Sequence, residues 1–211
     1  MTDRWSSHAQ AYRESDAHRS GADLELLVEW AEGRTALDVA SGGGHVARRL
    51  RESGLEVVTV DPAPGMQADV LSSADHLPFA DGSFDVVVSR IAPHHFPDIS
   101  AALIEMTRVS RDLVLVVDNL YRGEAVEEAE RLRDPTHVRT YGEEEWRELY
   151  QRAGVAVEAV ELLESEIDVE AWLARAGCEG DEAERVRALL ADRIHEGRLA
   201  MTRIAIRGRK R

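Results

Sequence analysis

The stretch Ala36-Leu37-Asp38-Val39-Ala40-Ser41-Gly42-Gly43-Gly44-His45-Val46-Ala47 decides the fold of this chain. Its apolar first part has the pattern of a buried strand, three glycines follow, and a helical pattern then covers residues 46–53. Glycines let the backbone approach a ligand closely, and the N-terminus of the following helix favours negative charge. The stretch therefore predicts a ligand-binding turn at the edge of an α/β sheet.

Four short apolar segments alternate with helical patterns along the first half of the chain, namely residues 35–39, 56–61, 84–89 and 113–118. This alternation is typical of a three-layer α/β sandwich with a parallel sheet. The spacing of the apolar residues predicts further helices over 20–31, 99–109, 123–132, 143–153, 169–176 and 181–193, and further strands over 155–163 and 199–207. No repeat or Pro-rich linker divides the sequence, so we predict a single domain over 1–211.

Composition excludes several classes of protein. The 211 residues are 44% hydrophobic and carry a net charge of −14, which argues against a disordered chain and against nucleic-acid or anionic-membrane partners. There is no apolar run long enough for a membrane helix, nor the pattern of a secretory signal, so we expect a cytoplasmic protein. Cys178 is the single cysteine, and His94, His95 and Asp98 lack a metal-binding spacing, so we expect no metal.

The glycine turn could bind either of two classes of cofactor, a dinucleotide or an adenosine compound without phosphate. The spacing Gly42-x-Gly44-x-x-Ala47 fits the dinucleotide fingerprint, and Asp61 follows Gly42 by 19 residues, where a ribose-binding acid belongs. A carboxylate at Asp38, beside the turn, would repel a pyrophosphate and attract a cation. S-adenosyl-L-methionine (SAM) has an ammonium and a sulfonium group but no phosphate, so Asp38 favours SAM over a dinucleotide. A glycine turn that binds nothing is the simplest alternative.

Six stretches together resemble the class I SAM-dependent methyltransferases, and among them the small-molecule branch with the ubiquinone/menaquinone C-methyltransferases (methyltransferase type 11 domain). These stretches are residues 37–44, 58–61, 77–87, 90–98, 116–119 and 133–141. The resemblance implies a Rossmann-like, seven-stranded, mostly parallel sheet whose last strand is antiparallel. It also implies a helical cover over 1–33, a lid insertion over 120–153, SAM as cofactor and S-adenosyl-L-homocysteine as product.

The cofactor contacts that we expect come from the glycine turn, the second strand and the segment before the fourth strand. They are Tyr12, Asp38, Ala40, Ser41, Gly42, Gly44, Asp61, Pro62, Ser73, Ala74, Asp75 and Arg90. Which of Asp69, Ser73 and Asp75 meets the adenine amino group stays open. Ala40 stands where the family usually has glycine, which narrows the room beside the methionine moiety by one methyl group.

The interval between Asp61 and Leu77 is too short for the helix and strand that the family normally places there. We therefore predict a turn over 61–65, which its two prolines support, and a short edge strand over 66–71. The third helix of the family would be lost, and the sheet would be shortened between its second and fourth strands.

Histidine is the natural base near neutral pH, and His94 and His95 follow the fourth strand, at the sheet edge where such folds bind ligands. We select His94, and His137 in an Arg-rich loop, as candidate bases for methyl transfer to an oxygen, nitrogen or carbon atom. The acidic composition favours a neutral or cationic small-molecule substrate, and we expect a monomer or homodimer.

Two other functions stay open. One is a SAM-binding protein without methyl transfer, either a regulator or a cyclase-like enzyme. The other is an NAD-dependent oxidoreductase, which would need a Tyr-x-x-x-Lys pair. The sole lysine, Lys210, lies near the end of the chain outside any such pair.

Overall fold

A computed structural model describes Trp5, Ser6, Ala9, Gln10 and residues 19–211. In this part of the chain, eight strands form one sheet. They are β1 (Thr35–Val39), β2 (Glu56–Asp61), β3 (Val70–Leu71), β4 (Phe84–Arg90), β5 (Ser110–Asn119), β6 (Val155–Asp168), β7 (Ile194–His195) and β8 (Arg198–Lys210). The strand order is β3-β2-β1-β4-β5-β8-β6, and β7 pairs with β8 outside this path.

Seven α-helices flank the sheet within the described ranges: α1 (Ala22–Trp30), α2 (His45–Glu52), α3 (Ile99–Val109), α4 (Glu124–Arg133), α5 (Glu143–Arg152), α6 (Val169–Arg175) and α7 (Gly180–Leu189). Short 3₁₀ turns cover Pro64–Met66, Pro93–His95 and Ala191–Arg193. Across these ranges, no helix has the length and apolar character that crossing a membrane requires.

Strands β1 to β5 run parallel, and β8 lies antiparallel between β5 and β6. The predicted fold class, a mostly parallel sheet with an antiparallel last strand, is confirmed. The sequence missed β7, which pairs its two residues with Leu199 and Arg198. It also ended β6 five residues early, because the polar residues of 164–168 give no strand pattern and are held by pairing with β8.

The shortened connection after β2 is also confirmed. A single 3₁₀ turn, Pro64–Met66, replaces the third helix, with proline at its first position, where no N–H is needed. The edge strand is shorter than predicted and consists of Val70–Leu71 alone. Gln67 has a φ of +59°, in the left-handed region, so the chain turns there before it can extend into a strand.

Both faces of the sheet are covered by apolar side chains. On one face, α3 and α5 bury Leu103, Met106, Trp146 and Tyr150, and on the other, α1 and α2 bury Leu24, Leu27 and Leu50. Gly208 of β8 lies directly under the first layer, since a Cβ there would come within 2.7 Å of the Tyr150 ring. This packing fixes the carboxyl ends of β1, β2, β4 and β5 as one rigid edge.

Candidate functional site

The glycine turn follows β1 and is hydrogen-bonded to the end of β2. The N–H of Gly42 donates to Oδ2 of Asp61 over 2.9 Å, and the N–H of Ala63 donates to Oδ1 over 2.9 Å. Gly42 has a φ of +50°, and a Cβ added there would meet no atom within 4 Å. The turn thus leaves open space on the side that it presents to solvent, and the Asp61 carboxylate is held at its rim.

Asp38 lies behind this turn. Its Oδ2 accepts the N–H of Ala47 over 3.1 Å, at the start of α2, and the residue is 1% exposed. Burial raises the pKa of Asp38 to about 7, and the nearby Asp61 carboxylate adds to the rise. Asp38 thus connects the turn to α2 and is not among the residues that line the cavity in front of it, so its contact with a cofactor stays a prediction.

A cavity of about 380 Å³ opens in front of the turn, within the size range of small-molecule sites. Nine of the expected cofactor residues line it: Ala40, Ser41, Gly42, Asp61, Pro62, Ser73, Ala74, Asp75 and Arg90. Asp38 and Gly44 do not, and Tyr12 lies outside the described residues. Among the lining residues that the sequence analysis did not select as cofactor contacts are Trp5, Met66, Ile91, Phe96 and Pro97.

The acids before β4 occupy different sides of the sheet edge. Oδ2 of Asp69 accepts from the backbone N–H of Thr59 over 2.9 Å and from its hydroxyl over 2.8 Å, away from the cavity. Ser73 and Asp75 line the cavity, and a hydrogen bond from Ser73 keeps the pKa of Asp75 below its usual value. Of the three candidates for the adenine amino group, Ser73 and Asp75 line the cavity, and Asp69 does not.

A buried charge cluster stands beside the cavity. Asp23 of α1 accepts from Nε of Arg90 over 2.7 Å and from Nη1 of Arg203 over 2.9 Å. Burial opposes ionisation of Asp23, but the guanidinium groups of Arg203 and Arg90 outweigh it and lower the pKa of the carboxyl. Because Asp23 is 67 and 180 residues from its partners, no local pattern could have revealed this cluster.

Three histidines gather at the carboxyl ends of β4 and β5. The ring centroids of His94 lie 4.1 Å from His95 and 5.5 Å from His137. Nδ1 of His94 lies 2.5 Å from Oδ1 of Asp118, and Nε2 of His137 lies 3.2 Å from Oε2 of Glu127. In the described ranges, no group of three or more His, Cys, Asp or Glu residues is arranged to hold a metal ion.

The three histidines have different surroundings. His95 lines the 380 Å³ cavity, and its Nδ1 donates to the carbonyl of Thr136 over 3.1 Å. Burial, with the neighbouring His94, holds the pKa of His95 well below its usual range. His94 lines a smaller adjoining cavity, whereas His137 lines neither. His137, the other candidate base, is buried beneath Glu127 and the surrounding loop.

Comparison with known proteins identifies the family. A family model described as "Methyltransferase domain" matches residues 37–117. The uncharacterized methyltransferase YcgJ of Bacillus subtilis is 30% identical over 208 residues, which cover 86% of this chain and 82% of YcgJ. The chain belongs to the methyltransferase family. This confirms the resemblance that the sequence motifs indicated.

Two further comparisons agree with this membership. The crystal structure of YcgJ superposes on this chain with a TM-score of 0.81 at 27% sequence identity. The match covers 90% of this chain and 98% of the YcgJ chain. A demethylmenaquinone methyltransferase of Beutenbergia cavernae is 37% identical over an alignment of 89 residues. The alignment covers 37% of this chain and 37% of that protein.

The segment 120–153 of this methyltransferase has two parts with different packing. Its second part, α5, belongs to the core, since Trp146 and Tyr150 are fully buried. Its first part, α4 and the following loop, lies over the histidines. The backbone N–H groups of Val138 and Arg139 donate to the carbonyl of His94 over 2.9 and 3.2 Å. The loop is thereby tied to the turn that follows β4.

Proposed function

We propose that this methyltransferase binds SAM in the 380 Å³ cavity and transfers its methyl group to a small molecule. The observation that carries the proposal is the Asp61–Gly42 contact. It holds a strand-end carboxylate and an open glycine turn together on one wall of the cavity. This is the arrangement that a ribose diol and an adjoining amino-acid chain require.

The lining residues fit SAM group by group. Each Asp61 oxygen accepts one backbone N–H, which leaves lone pairs for the two ribose hydroxyls. The Arg90 guanidinium offers a partner for the carboxylate of the methionine moiety, and Ser73 and Asp75 offer acceptors for the adenine amino group. The open side of Gly42 is room that any side chain would fill. Tyr12 and the rest of 1–33 remain the proposed cover.

The position of the sole lysine argues against an NAD-dependent oxidoreductase, whereas Asp61 would suit the ribose of either cofactor. Lys210, the sole lysine, donates its Nζ to the carbonyls of Arg108 and Ser110 over 3.3 and 2.8 Å. It is therefore engaged away from the cavity lining and cannot supply the lysine of an oxidoreductase pair.

When bound, SAM supplies an electrophilic methyl group that needs no further activation. The tasks left to the protein are to align the acceptor atom with that methyl group and to take the acceptor's proton where it has one. Asp118 occupies Nδ1 of His94, which fixes the ring and leaves Nε2 as the nitrogen that accepts the proton. His94 is therefore our proposed base, with Asp118 as its positioning residue. His137, paired with Glu127 and outside both cavities, would support the histidine cluster.

Calorimetry with S-adenosylhomocysteine and with NAD tests the cofactor. We expect saturable binding of the first and none of the second, and the reverse result would overturn the proposal. Incubation with methyl-labelled SAM and a panel of phenols, amines and acidic carbon compounds then tests the transfer. Binding of SAM without transfer to any acceptor would favour the non-methylating alternative, a regulator or cyclase-like protein.

A further inference from the structure

His95 stands between the proposed base and the cavity in which the acceptor would bind. His94 lines a small cavity of about 40 Å³ but not the 380 Å³ cavity, whereas His95 lines both. Ile91 also lines both, but its side chain has no atom that accepts a proton. We propose that His95 takes the proton from the acceptor and passes it to His94, an inference that rests on the methyl-transfer function proposed above.

Two oxygen atoms of Thr136 fix the proton of the neutral His95 ring on Nδ1. The carbonyl oxygen lies 3.1 Å from Nδ1, and the hydroxyl oxygen lies 3.2 Å from it. A carbonyl oxygen can only accept a hydrogen bond. The hydroxyl proton is already used, because Oγ1 of Thr136 donates to Oδ1 of Asp134 over 2.7 Å. Both oxygens therefore accept from Nδ1–H, which leaves the lone pair of the neutral ring on Nε2.

The His95 ring is held in place from two sides. Asp134, which accepts the Thr136 hydroxyl, is 3% exposed and also accepts the backbone N–H of Thr136 over 2.9 Å. On another side, the ring of Trp5 meets the ring of His95 in a T-shaped arrangement, with the ring centroids 4.6 Å apart. Trp5 lines the 380 Å³ cavity as well. These contacts keep the His95 ring at the cavity wall with its lone pair on a fixed nitrogen.

The two neighbouring histidines differ in their affinity for a proton. Burial holds the pKa of His95 well below its usual range, and three neighbouring groups act in the same direction: His94, His137 and Arg133. The pKa of His94 is raised, because the attraction of Asp118 and the hydrogen bond to it outweigh burial. A proton that reaches His95 is therefore more stable on His94. His95 thus serves as a carrier, and His94 holds the proton.

The gap between the two rings is short enough for this transfer. The ring centroids of His94 and His95 lie 4.1 Å apart. The small cavity that both rings line, of about 40 Å³, has room for roughly three water molecules, given that about 10–15 Å³ holds one. Water in this cavity can carry the proton where the two nitrogens do not meet directly. Because Asp118 occupies Nδ1 of His94, the proton arrives at Nε2.

Methyl transfer and proton movement together form one balanced reaction. The acceptor attacks the methyl carbon of SAM with its electron pair and displaces sulfur, which keeps the electrons of the broken carbon–sulfur bond. The proton of the acceptor bonds to Nε2 of His95 and then moves to Nε2 of His94. His95 is left neutral, with its Nδ1–H still donated to Thr136, and Asp118 stabilises the imidazolium of His94.

The first test locates the proton by NMR and needs neither cofactor nor acceptor. The full-length protein is labelled with ¹⁵N, and the ring nitrogens of His95 are assigned by their loss in His95→Gln, or in His95→Asn if the first variant does not fold. At neutral pH we expect a proton on Nδ1 and none on Nε2. As the pH is lowered, His94 should gain its proton before His95. A neutral ring with its proton on Nε2, or protonation of His95 before His94, would overturn the inference.

The second test measures kcat with an acceptor that loses a proton, taken from the panel of phenols, amines and acidic carbon compounds. His95→Gln should lower kcat by about 10²- to 10⁴-fold, because the proton loses its carrier, and His195→Gln, at an exposed histidine, is the control. In His95→Ala, added imidazole should restore part of kcat. Pyrazole, a ring of the same size but a much weaker base, should not. Full activity in His95→Gln, or equal effects of the two added rings, would overturn the inference.

The two proposals fail in different ways. If S-adenosylhomocysteine does not bind in calorimetry, or if no acceptor is methylated, the methyl-transfer function is overturned and the proton path with it. The NMR measurement still reports where the His95 ring carries its proton. If an acceptor is methylated at a rate that does not depend on His95, the proton path alone is overturned and the methyl-transfer function stands.

Discussion

Nδ1 of His94 lies 2.5 Å from Oδ1 of Asp118, and both side chains are almost completely buried. The other oxygen of Asp118, Oδ2, is buried and has no hydrogen-bond partner among the described residues. Burial by itself disfavours the charged form of His94, but the attraction of Asp118 and the hydrogen bond outweigh it, so the pKa of His94 is raised. The imidazolium is therefore more stable here than in water.

The first prediction follows from this pair. The pKa of His94, followed through its ring C–H signal in NMR, should lie above the ordinary value of 6.5. Asp118→Asn should bring it below that value, because burial, the largest influence, then outweighs the weaker attraction of Glu130. The pair stabilises the fold fully below pH 6.5, and this contribution is lost as the pH rises through the raised pKa. A pKa that does not respond to Asp118→Asn would contradict the assignment.

For catalysis the sign is opposite, because a base must be unprotonated. Once an acceptor substrate is identified, the rate of methyl transfer should rise as the pH increases through the raised pKa of His94. His94→Gln should lower kcat by about 10²- to 10⁴-fold. The affinity for S-adenosylhomocysteine should stay the same, since His94 does not line that cavity. His195→Gln, at an exposed histidine of β7 that lies outside the cavity lining, is the control. Full activity in His94→Gln would mean that positioning alone drives the transfer.

The second prediction concerns Asp61. Asp61→Asn should weaken S-adenosylhomocysteine binding by about 1.5–3 kcal/mol, because the carboxamide loses one of the two acceptors that face the turn and the ribose. Asp69→Asn is the matched control, since Asp69 bonds to Thr59 outside the cavity. Calorimetry on both variants decides the matter. Equal losses in the two would place the ribose elsewhere.

The third prediction concerns Asp38 and pH. Its carboxyl has a raised pKa of about 7 in the fold against an ordinary 3.8, so the wild-type protein loses stability as the pH rises from about 4 to about 7. Asp38→Asn removes that titration while its amide oxygen still accepts from Ala47. In urea unfolding, the stability of Asp38→Asn relative to wild type should therefore increase by about 1–4 kcal/mol between pH 5 and pH 8. If the unfolding free energies of Asp38→Asn and wild type differ by the same amount at pH 5 and at pH 8, Asp38 is ionised in the folded protein over this whole range.

Local patterns predicted the fold well. The bounds of β1, β2 and α3 match the sequence analysis, because each is a short apolar segment with clear ends. Asp98, for example, caps α3 by accepting the N–H of Ala101 over 2.9 Å. The short interval between Asp61 and Leu77 also predicted the shortened connection after β2, because it leaves no room for both a helix of ordinary length and a strand.

The same patterns could not place the site's charges. Nothing near Arg90 in the sequence points to Asp23 or Arg203, and nothing near His94 points to Asp118, because these contacts join strands and helices that only the folded sheet brings together. His137 has the sequence context of an exposed loop, and only tertiary contacts to Glu127 reveal its burial.

The last prediction concerns Ala40, the residue that replaces the usual glycine of the family motif. Ala40 has a φ of +56°, in the left-handed region, where a residue with a Cβ is strained by about 1–2 kcal/mol. Ala40→Gly relieves this strain, but the greater entropy of the unfolded chain offsets about 0.4–1 kcal/mol of the relief, so we expect a net gain in stability of about 0–1.5 kcal/mol.

Ala101→Gly is the matched control for Ala40→Gly, because Ala101 lies in α3, where glycine is destabilising by about 1 kcal/mol. In urea unfolding, the changes in unfolding free energy caused by Ala40→Gly and Ala101→Gly should thus differ by about 1–2.5 kcal/mol. S-adenosylhomocysteine should bind Ala40→Gly at least as tightly as wild type, since a methyl group is removed from the cavity wall. Equal destabilisation at both positions would contradict the left-handed backbone at Ala40, and with it the local geometry of the glycine turn.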